Sequence, residues 1–357
     1  MIGRSLLRLL PQIVSLLALI GLVSVFFPTF LQIDFSDGRL VGPMIDIVKR
    51  GAPVALLAVG MTLVIATRGI DLSVGTVMAI CGAAAAWAVS SGYGTVPSLI
   101  LALLVGLAAG LWNGILVSVI GIQPIVATLI LMTAGRGIAQ LITEGRILTF
   151  SDPDFATIGS GTLFGVPFPV VLWLLTGIGF ALMMRWTALG LLIESVGINR
   201  RASALIGINA RVLLIAVYMA SGLCAAIAGL VVTADIRGAD ANNAGLWLEL
   251  DAILAVVIGG NSLLGGRFSI TASILGAMII QTIDTGILLA GFPSEYNLVI
   301  KAVLVLTILV VQSPNLSAQW LWARQALARR RALRDEAAPQ SGPRMTERPV
   351  PESEVSR

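Results

Sequence analysis

Apolar runs of bilayer-spanning length recur along most of this chain, and they constrain the fold more than any motif does. A membrane-crossing helix needs about 20 mostly apolar residues. Ten segments are candidates, at 11–31, 51–67, 74–91, 97–119, 124–143, 166–185, 212–233, 250–264, 270–290 and 297–313. The second, third and eighth are short or broken by glycine. The expected class is an all-α integral membrane protein of about ten transmembrane helices, with broken or re-entrant segments among them. Only 12% of residues are charged, about half the roughly 25% of a soluble domain. That is too little to cover a water-facing surface, which excludes a soluble globular enzyme. Histidine is absent, so no His-dependent triad, His metal site or His proton shuttle is available. Cys81 and Cys224 lie in apolar runs and read as small core residues, not as a disulfide framework.

Charge placement predicts orientation. Arg4, Arg8, Arg68, Arg185, Arg200, Arg201, Arg211, Arg267 and eight tail arginines are expected in the cytoplasm, with Arg39, Lys49, Arg50, Arg146 and Arg237 outside. This follows the positive-inside rule and requires an even number of spans, with N- and C-termini cytoplasmic. The first run follows Arg4 and Arg8 in the manner of a secretory signal, but Phe26-Phe27-Pro28 replaces a small-residue cleavage site, so it reads as a retained helix. The expected divisions are a cytoplasmic segment 1–10, a transmembrane domain 11–313 and a tail 314–357. Residues 315–357 hold eight Arg against five acids; beside a membrane this reads as a segment facing anionic lipid, and the mixed acids argue against nucleic acid. Gln319–Arg334 is expected as a short basic interfacial helix, with disorder from Pro339. No G-x-x-x-x-G-K-[ST] phosphate loop is present, so any ATP-driven work belongs to a partner.

Four segments interrupt the apolar pattern. In Gly69-Ile-Asp-Leu-Ser-Val-Gly75, Asp71 and Ser73 either cap a following helix or line a central path between two discontinuous helices. Residues 186–211, which include Glu194-Ser-Val-Gly197-Ile-Asn199-Arg200 and Gly207, read either as a solvated loop or as a short amphipathic helix that fits a partner's cleft. The polar stretch 233–245, leading into Trp247, offers Asp240, Asn242 and Asn243 for sugar hydroxyls and Trp247 for stacking on a sugar ring. The bland alternative is an external loop whose Glu249 and Asp251 suit the start of a helix. The paired glycines 259–260 and 265–266 allow close helix approach or a re-entrant bend, or form an ordinary turn. Polar residues inside spans are functional candidates: Asn113, Gln123, Arg136, Gln140, Gln281, Asp284 and Lys301. Arg136 is expected to snorkel toward its helix end.

Three of these segments, Gly69 to Gly75, Glu194 to Asn199 and Leu250-Asp-Ala-Ile-Leu-Ala-Val-Val-Ile-Gly-Gly260, resemble the membrane subunits of bacterial sugar ABC importers, the ribose/xylose/autoinducer permease family. Residues 51–58, 123–132 and 234–251 add to the likeness, which covers about 10–313; the long basic tail departs from the pattern. The resemblance implies a multi-pass subunit of the bacterial inner membrane that forms the path of a simple sugar and performs no covalent chemistry. It implies a second permease subunit, identical or similar, and a periplasmic sugar-binding protein docking near Arg237, Asp240 and Asn242. It also implies cytoplasmic ATPases that hold the ATP and Mg and dock on 186–211 at Glu194, Gly197, Asn199, Arg200 and Gly207. The alternative is an ion-gradient-driven secondary transporter, which would want several intramembrane acids where Asp284 is the one strong interior acid. A membrane-embedded enzyme would need a convergent catalytic set, and none is visible.

Overall fold

The structure is a computed structural model that describes residues 2–36 and 38–312. The expected interfacial helix at 319–334 and the disorder beyond Pro339 lie outside the described residues. Two compact units divide the chain at Ile308, and only the first, Met1–Ile308, is substantially described.

The chain is a helical bundle with short hairpins at its connections. In order it forms α1 (Ile2–Phe26), a hairpin of β1 (Asp34–Ser36) and β2 (Arg39–Val41), α2 (Pro43–Arg50), α3 (Ala52–Ala66), α4 (Val74–Ser90) and α5 (Thr95–Ile115). Then follow α6 (Pro124–Ile142), β3 (Leu148–Thr149), α7 (Pro153–Ser160), the pair β4 (Thr162–Leu163) and β5 (Val166–Pro167), α8 (Phe168–Trp186), α9 (Leu189–Ile198) and α10 (Arg200–Leu205). The last elements are α11 (Ala210–Ile236), β6 (Gly238–Ala239), α12 (Leu248–Ile258), α13 (Ile270–Leu289) and α14 (Ser294–Gln312). β3 pairs antiparallel with β6, Leu148 opposite Ala239.

Local chemistry sets the helix starts. Proline stands in the first turn of α3, α6, α7 and α8, where its missing N–H costs nothing. Asp152 caps α7 by accepting from Phe155 N–H at 2.9 Å, and Asn199 and Asn209 cap α10 and α11 in the same way. α5 ends in a π-helical turn, Leu116–Ile120, closed by Gly121 at φ +85°.

All ten expected segments contain helix, but not all of these helices are of spanning length. Among the described residues six helices are long and apolar enough to cross a membrane, or seven if α2 and α3, bent by 40°, make one span. α3, α4 and α12 have 15, 17 and 11 residues, about 22, 26 and 16 Å at 1.5 Å per residue, against a hydrocarbon core of about 30 Å. α3 and α4 are hidden inside the protein: every residue of α3 but Pro53, and every residue of α4 but Trp87 and Ser90, is buried. Their apolar character comes from protein surroundings, which hydropathy cannot separate from lipid. The long helices carry apolar side chains outward, as in Leu17 and Val25 of α1, Leu104 and Trp112 of α5 and Ile130 of α6.

The 27-residue α11 is the central post. It packs closely on α5, whose Gly106, Gly110 and Gly114 recur at a spacing that removes side chains from the contact. A Cβ at Gly110 would fall 2.7 Å from the Met219 Cα, and one at Gly106 would fall 2.7 Å from the Ala226 Cβ. Gly110→Leu is therefore expected to separate these helices and to destabilise the protein by about 1–3 kcal/mol or more, read as a lowered thermal midpoint in detergent. Gly137→Leu, where an added Cβ meets nothing within 4 Å, is the control expected to leave the midpoint unchanged.

Candidate functional site

The Gly69–Gly75 segment forms the break between α3 and α4, and its polar groups are turned inward. Asp71 is 2% exposed. Its Oδ1 accepts from Ser73 N–H at 3.0 Å and from Ser73 Oγ at 2.6 Å, and its Oδ2 accepts from Ser221 of α11 at 2.9 Å. Ser73 Oγ in turn accepts from Asn113 Nδ2 of α5 at 2.8 Å. One buried carboxylate thus ties the broken segment to α11 directly and to α5 through Ser73. Thr128 of α6 holds the same segment from another side, accepting from Leu72 N–H at 3.2 Å. No side chain caps the start of α4; the Asp71 to Ser73 bonds instead shape the turn before it.

A second polar loop meets this break. Residues 240–247 fold back between β6 and α12 and are pinned to α6. Arg136 donates to the carbonyls of Ala241 at 3.0 Å and Ala244 at 2.7 Å, and Gln140 donates to Asn242 Oδ1 at 2.8 Å. Arg136 does not snorkel to its helix end, because these carbonyls reach it first. Asp240 accepts from the backbone of Asn242 and Asn243 and from Asn243 Nδ2 at 2.7 Å. The Asn243 amide holds the Asp240 carboxyl below the usual carboxylate range. Trp247 precedes α12 at φ +66° and stands half exposed. The loop reaches the first turn of α4: a Cβ at Gly75 would collide with the Gly245 carbonyl and lie 2.5 Å from Glu249 Oε2, so Gly75 and Gly245 exist for backbone contact. The starts of two short helices, α4 and α12, therefore converge.

Asp284, Asp251 and Lys301 form a separate cluster. Lys301 of α14 lies 3.0 Å from Asp251 of α12 and 2.9 Å from Asp284 of α13. Asp251 is thus an ion-pair partner across helices as well as an acid in the first turn of α12. Gln281 is buried on α13, its Cβ near Gly51 at the α2–α3 bend. It belongs neither to this cluster nor to the Asp71 network.

At the Ala210 end of α11, α9 covers the end of α3. Gly197 packs against the Ala66 carbonyl, which accepts from Gly266 N–H at 2.9 Å, and Arg68 donates to the Ile198 carbonyl at 2.7 Å. The paired glycines at 259–266 are a turn braced by Asn261, which accepts from Ser269 N–H at 2.6 Å. Asn199, Arg200, Gly207, Leu205 and Ile206 face outward, and Leu205 is 89% exposed. Half-buried Glu194 lines a groove of about 470 Å³ with Arg185, Leu191 and Phe268. At the Ile236 end, Arg237 (φ +52°) and Arg39 line a cavity of about 280 Å³ with Asp152. Lys49 pairs with Asp235 there at 2.8 Å.

Sequence reasoning missed Ser221, Thr128 and Tyr218, each of which touches the broken segment. Ser221 and Thr128 carried a usable signal as hydroxyls inside apolar helices; Tyr218 in an apolar run reads as core. Among the described residues no three His, Cys, Asp or Glu side chains are grouped to hold a metal.

A bundle of apolar helices around the broken α3–α4 pair, with a buried polar network at the break, is the build of a membrane permease. Residues 44–309 match the family described as branched-chain amino acid transport system / permease component, and the chain belongs to that family of multi-pass inner-membrane transport permeases. It is 60% identical over 304 residues to the galactofuranose transporter permease protein of Escherichia coli, covering 85% of this chain and 89% of that one. It is 43% identical over 335 residues to the fructose import permease of Bifidobacterium longum, covering 91% and 92%. Against the ribose import permease of Escherichia coli the identity is 36% over 306 residues, covering 85% and 92%. These relatives are named as permeases, transport components and not enzymes. A solved metal-chelate type ABC transporter in an inward-facing conformation aligns at 16% identity and a TM-score of 0.48, covering 85% of this chain and 99% of its own.

Proposed function

We propose that this chain is the membrane subunit of an ATP-driven sugar importer, that it carries galactofuranose or a closely related monosaccharide, and that it works by alternating access. The observation that carries this reading is the 60% identity over 85% of the chain to a galactofuranose permease. The chemistry of the site supports it. The cavity below the Asp71 segment is lined by neutral hydrogen-bonding groups of Thr67, Gln123 and Tyr218 and by Arg68 and Arg200, with no acid among its lining residues.

The Ala210 end faces the cytoplasm in this reading, since Arg68, Arg185, Arg200 and Arg211 gather there, and the Ile236 end with Lys49, Arg39 and Arg237 faces outside. The exposed apolar tips at Leu205 and Ile206 and the groove holding Glu194 receive an ATPase subunit, with Gly197, Asn199 and Gly207 shaping the segment. The loop bearing Arg237, Asp240 and Asn242 receives a sugar-binding protein, and a second permease subunit completes the path. The chain itself needs no cofactor. Asp71, Ser73, Asn113, Gln123, Arg136, Gln140, Asn243 and Trp247 line or support the path. Asp284 is not the one interior acid expected, because Asp71, Glu249 and Asp251 are buried as well; Asp284 and Asp251 share Lys301.

Glu194→Lys places a second cation in the groove of Arg185 and is expected to reduce ATPase co-purification several-fold while membrane insertion is unchanged. Undiminished co-purification would remove that docking role. The substrate is tested by uptake into proteoliposomes holding the permease, its ATPase and its binding protein. Galactofuranose is expected to be accumulated and to resist competition by ribose and fructose; accumulation of ribose or fructose alone would overturn the assignment.

A further inference from the structure

Below the broken segment lies a cavity of about 290 Å³ lined by Thr67, Gly69, Gln123, Arg200, Leu214 and Tyr218, among others. It opens at the Ala210 end, where Arg68, Gln123 and Arg200 are exposed. Its size is at the lower edge of small-molecule sites, roughly 300–1,000 Å³, so it suits one sugar ring. Tyr218 projects from α11 to this cavity and is 0% exposed. Its hydroxyl lies directly below Gly69, where an added Cβ would fall 2.8 Å from it. That hydroxyl has no hydrogen-bond partner, and neither do Asn113 Oδ1 and Ser118 Oγ on the facing α5 and its π turn. Of these three unpartnered buried atoms, the Tyr218 hydroxyl is the one that belongs to a residue lining the cavity. A buried polar group without a partner is costly and rare, and it survives where something else supplies the bond.

We infer that Tyr218 is a substrate-contacting residue in the cytoplasmic half of the path, its hydroxyl bonding a sugar hydroxyl after the sugar passes the Gly69–Gly75 segment. A sugar hydroxyl donates and accepts at once, so it serves the phenol as either partner. The absence of a Cβ at Gly69 leaves the phenol room beneath the loop. This inference rests on the proposed sugar-import function.

The test is Tyr218→Phe in the assembled complex of permease, ATPase and binding protein in proteoliposomes, supplied with saturating sugar-loaded binding protein and with a series of monodeoxy sugars. The variant keeps the ring and loses one oxygen, so assembly and basal ATP hydrolysis are expected to match wild type. Sugar moved per ATP is expected to fall about tenfold, as when one bond to a substrate hydroxyl is lost. For one deoxy position, the preference of wild type for the full sugar is expected to vanish in the variant. Unchanged uptake with unchanged deoxy preference would overturn the inference, since a water molecule alone then satisfies the phenol. Reduced uptake that tracks reduced assembly would overturn it as well, leaving Tyr218 a packing residue. A wild-type complex that moves no sugar would instead sink the functional reading itself, and the wild-type arm separates the two failures.

Discussion

Lys301→Met is expected to prevent the protein from accumulating in membranes. Lys301 sits 3.0 Å from Asp251 and 2.9 Å from Asp284, with 9% of its side chain exposed. These three residues join α12, α13 and α14. Removing the cation leaves two carboxylates facing each other inside the bundle without a counter-charge. Breaking a buried pair in this way costs about 3–5 kcal/mol, a large part of the 5–15 kcal/mol that holds a typical domain together. The expected readouts are loss of the mature band in membrane fractions and a lowered thermal midpoint in detergent. The remedy distinguishes charge from packing: Lys301→Met combined with Asp251→Asn and Asp284→Asn removes all three charges and is expected to recover accumulation. A single variant that accumulates like wild type would show that the cluster contributes nothing to stability.

Asp71→Ala is expected to abolish transport. The carboxylate receives three hydrogen bonds, two from Ser73 and one from Ser221. Without it, those donors are left buried and unpaired at about 1–3 kcal/mol each, and Ser73 loses the anchor that positions it under Asn113. The path is affected more than the scaffold, because α3, α4 and α11 keep their extensive apolar contact. Uptake is expected to fall by more than about tenfold, since each 1.4 kcal/mol is a factor of ten, while a large fraction of the protein still inserts. Asp71→Asn keeps one acceptor oxygen and can hold either Ser73 or Ser221, so it is expected to fall between wild type and the alanine variant. Equal uptake by all three proteins would show that the network is not part of the path.

Much of this arrangement is visible in the sequence, and the remainder is hidden for identifiable reasons. The break at Gly69–Gly75 is legible because polar residues and glycines interrupt two apolar runs. Between α8 and α11 one short helix is legible from the polar residues and glycines; the structure has two, divided at Asn199, whose side chain caps the second. The segment 250–264 is overextended by hydropathy: the helix stops at Ile258 because Asn261 braces a turn there, and Leu263 and Leu264 in that turn are apolar enough to pass as helix. The bond of Arg136 to Ala241 and Ala244 spans more than 100 residues, so local pattern pointed it instead to its own helix end. Lys301 and Asp284 were visible as intramembrane charges, but their union with Asp251 depends on the crossing of three helices. Tyr218 gave no local signal, since its significance lies in the unmet bonding of its oxygen and not in its place in an apolar helix.

The central claim is that this chain is a passive half-gate driven by a separate ATPase seated on residues 186–211. Its most direct test is sugar uptake by sealed proteoliposomes containing the permease with and without its ATPase and binding protein, energised either by ATP or by an imposed proton or sodium gradient. The account predicts accumulation only when all components and ATP are present, and none under either gradient. Gradient-driven accumulation by the permease alone would contradict it.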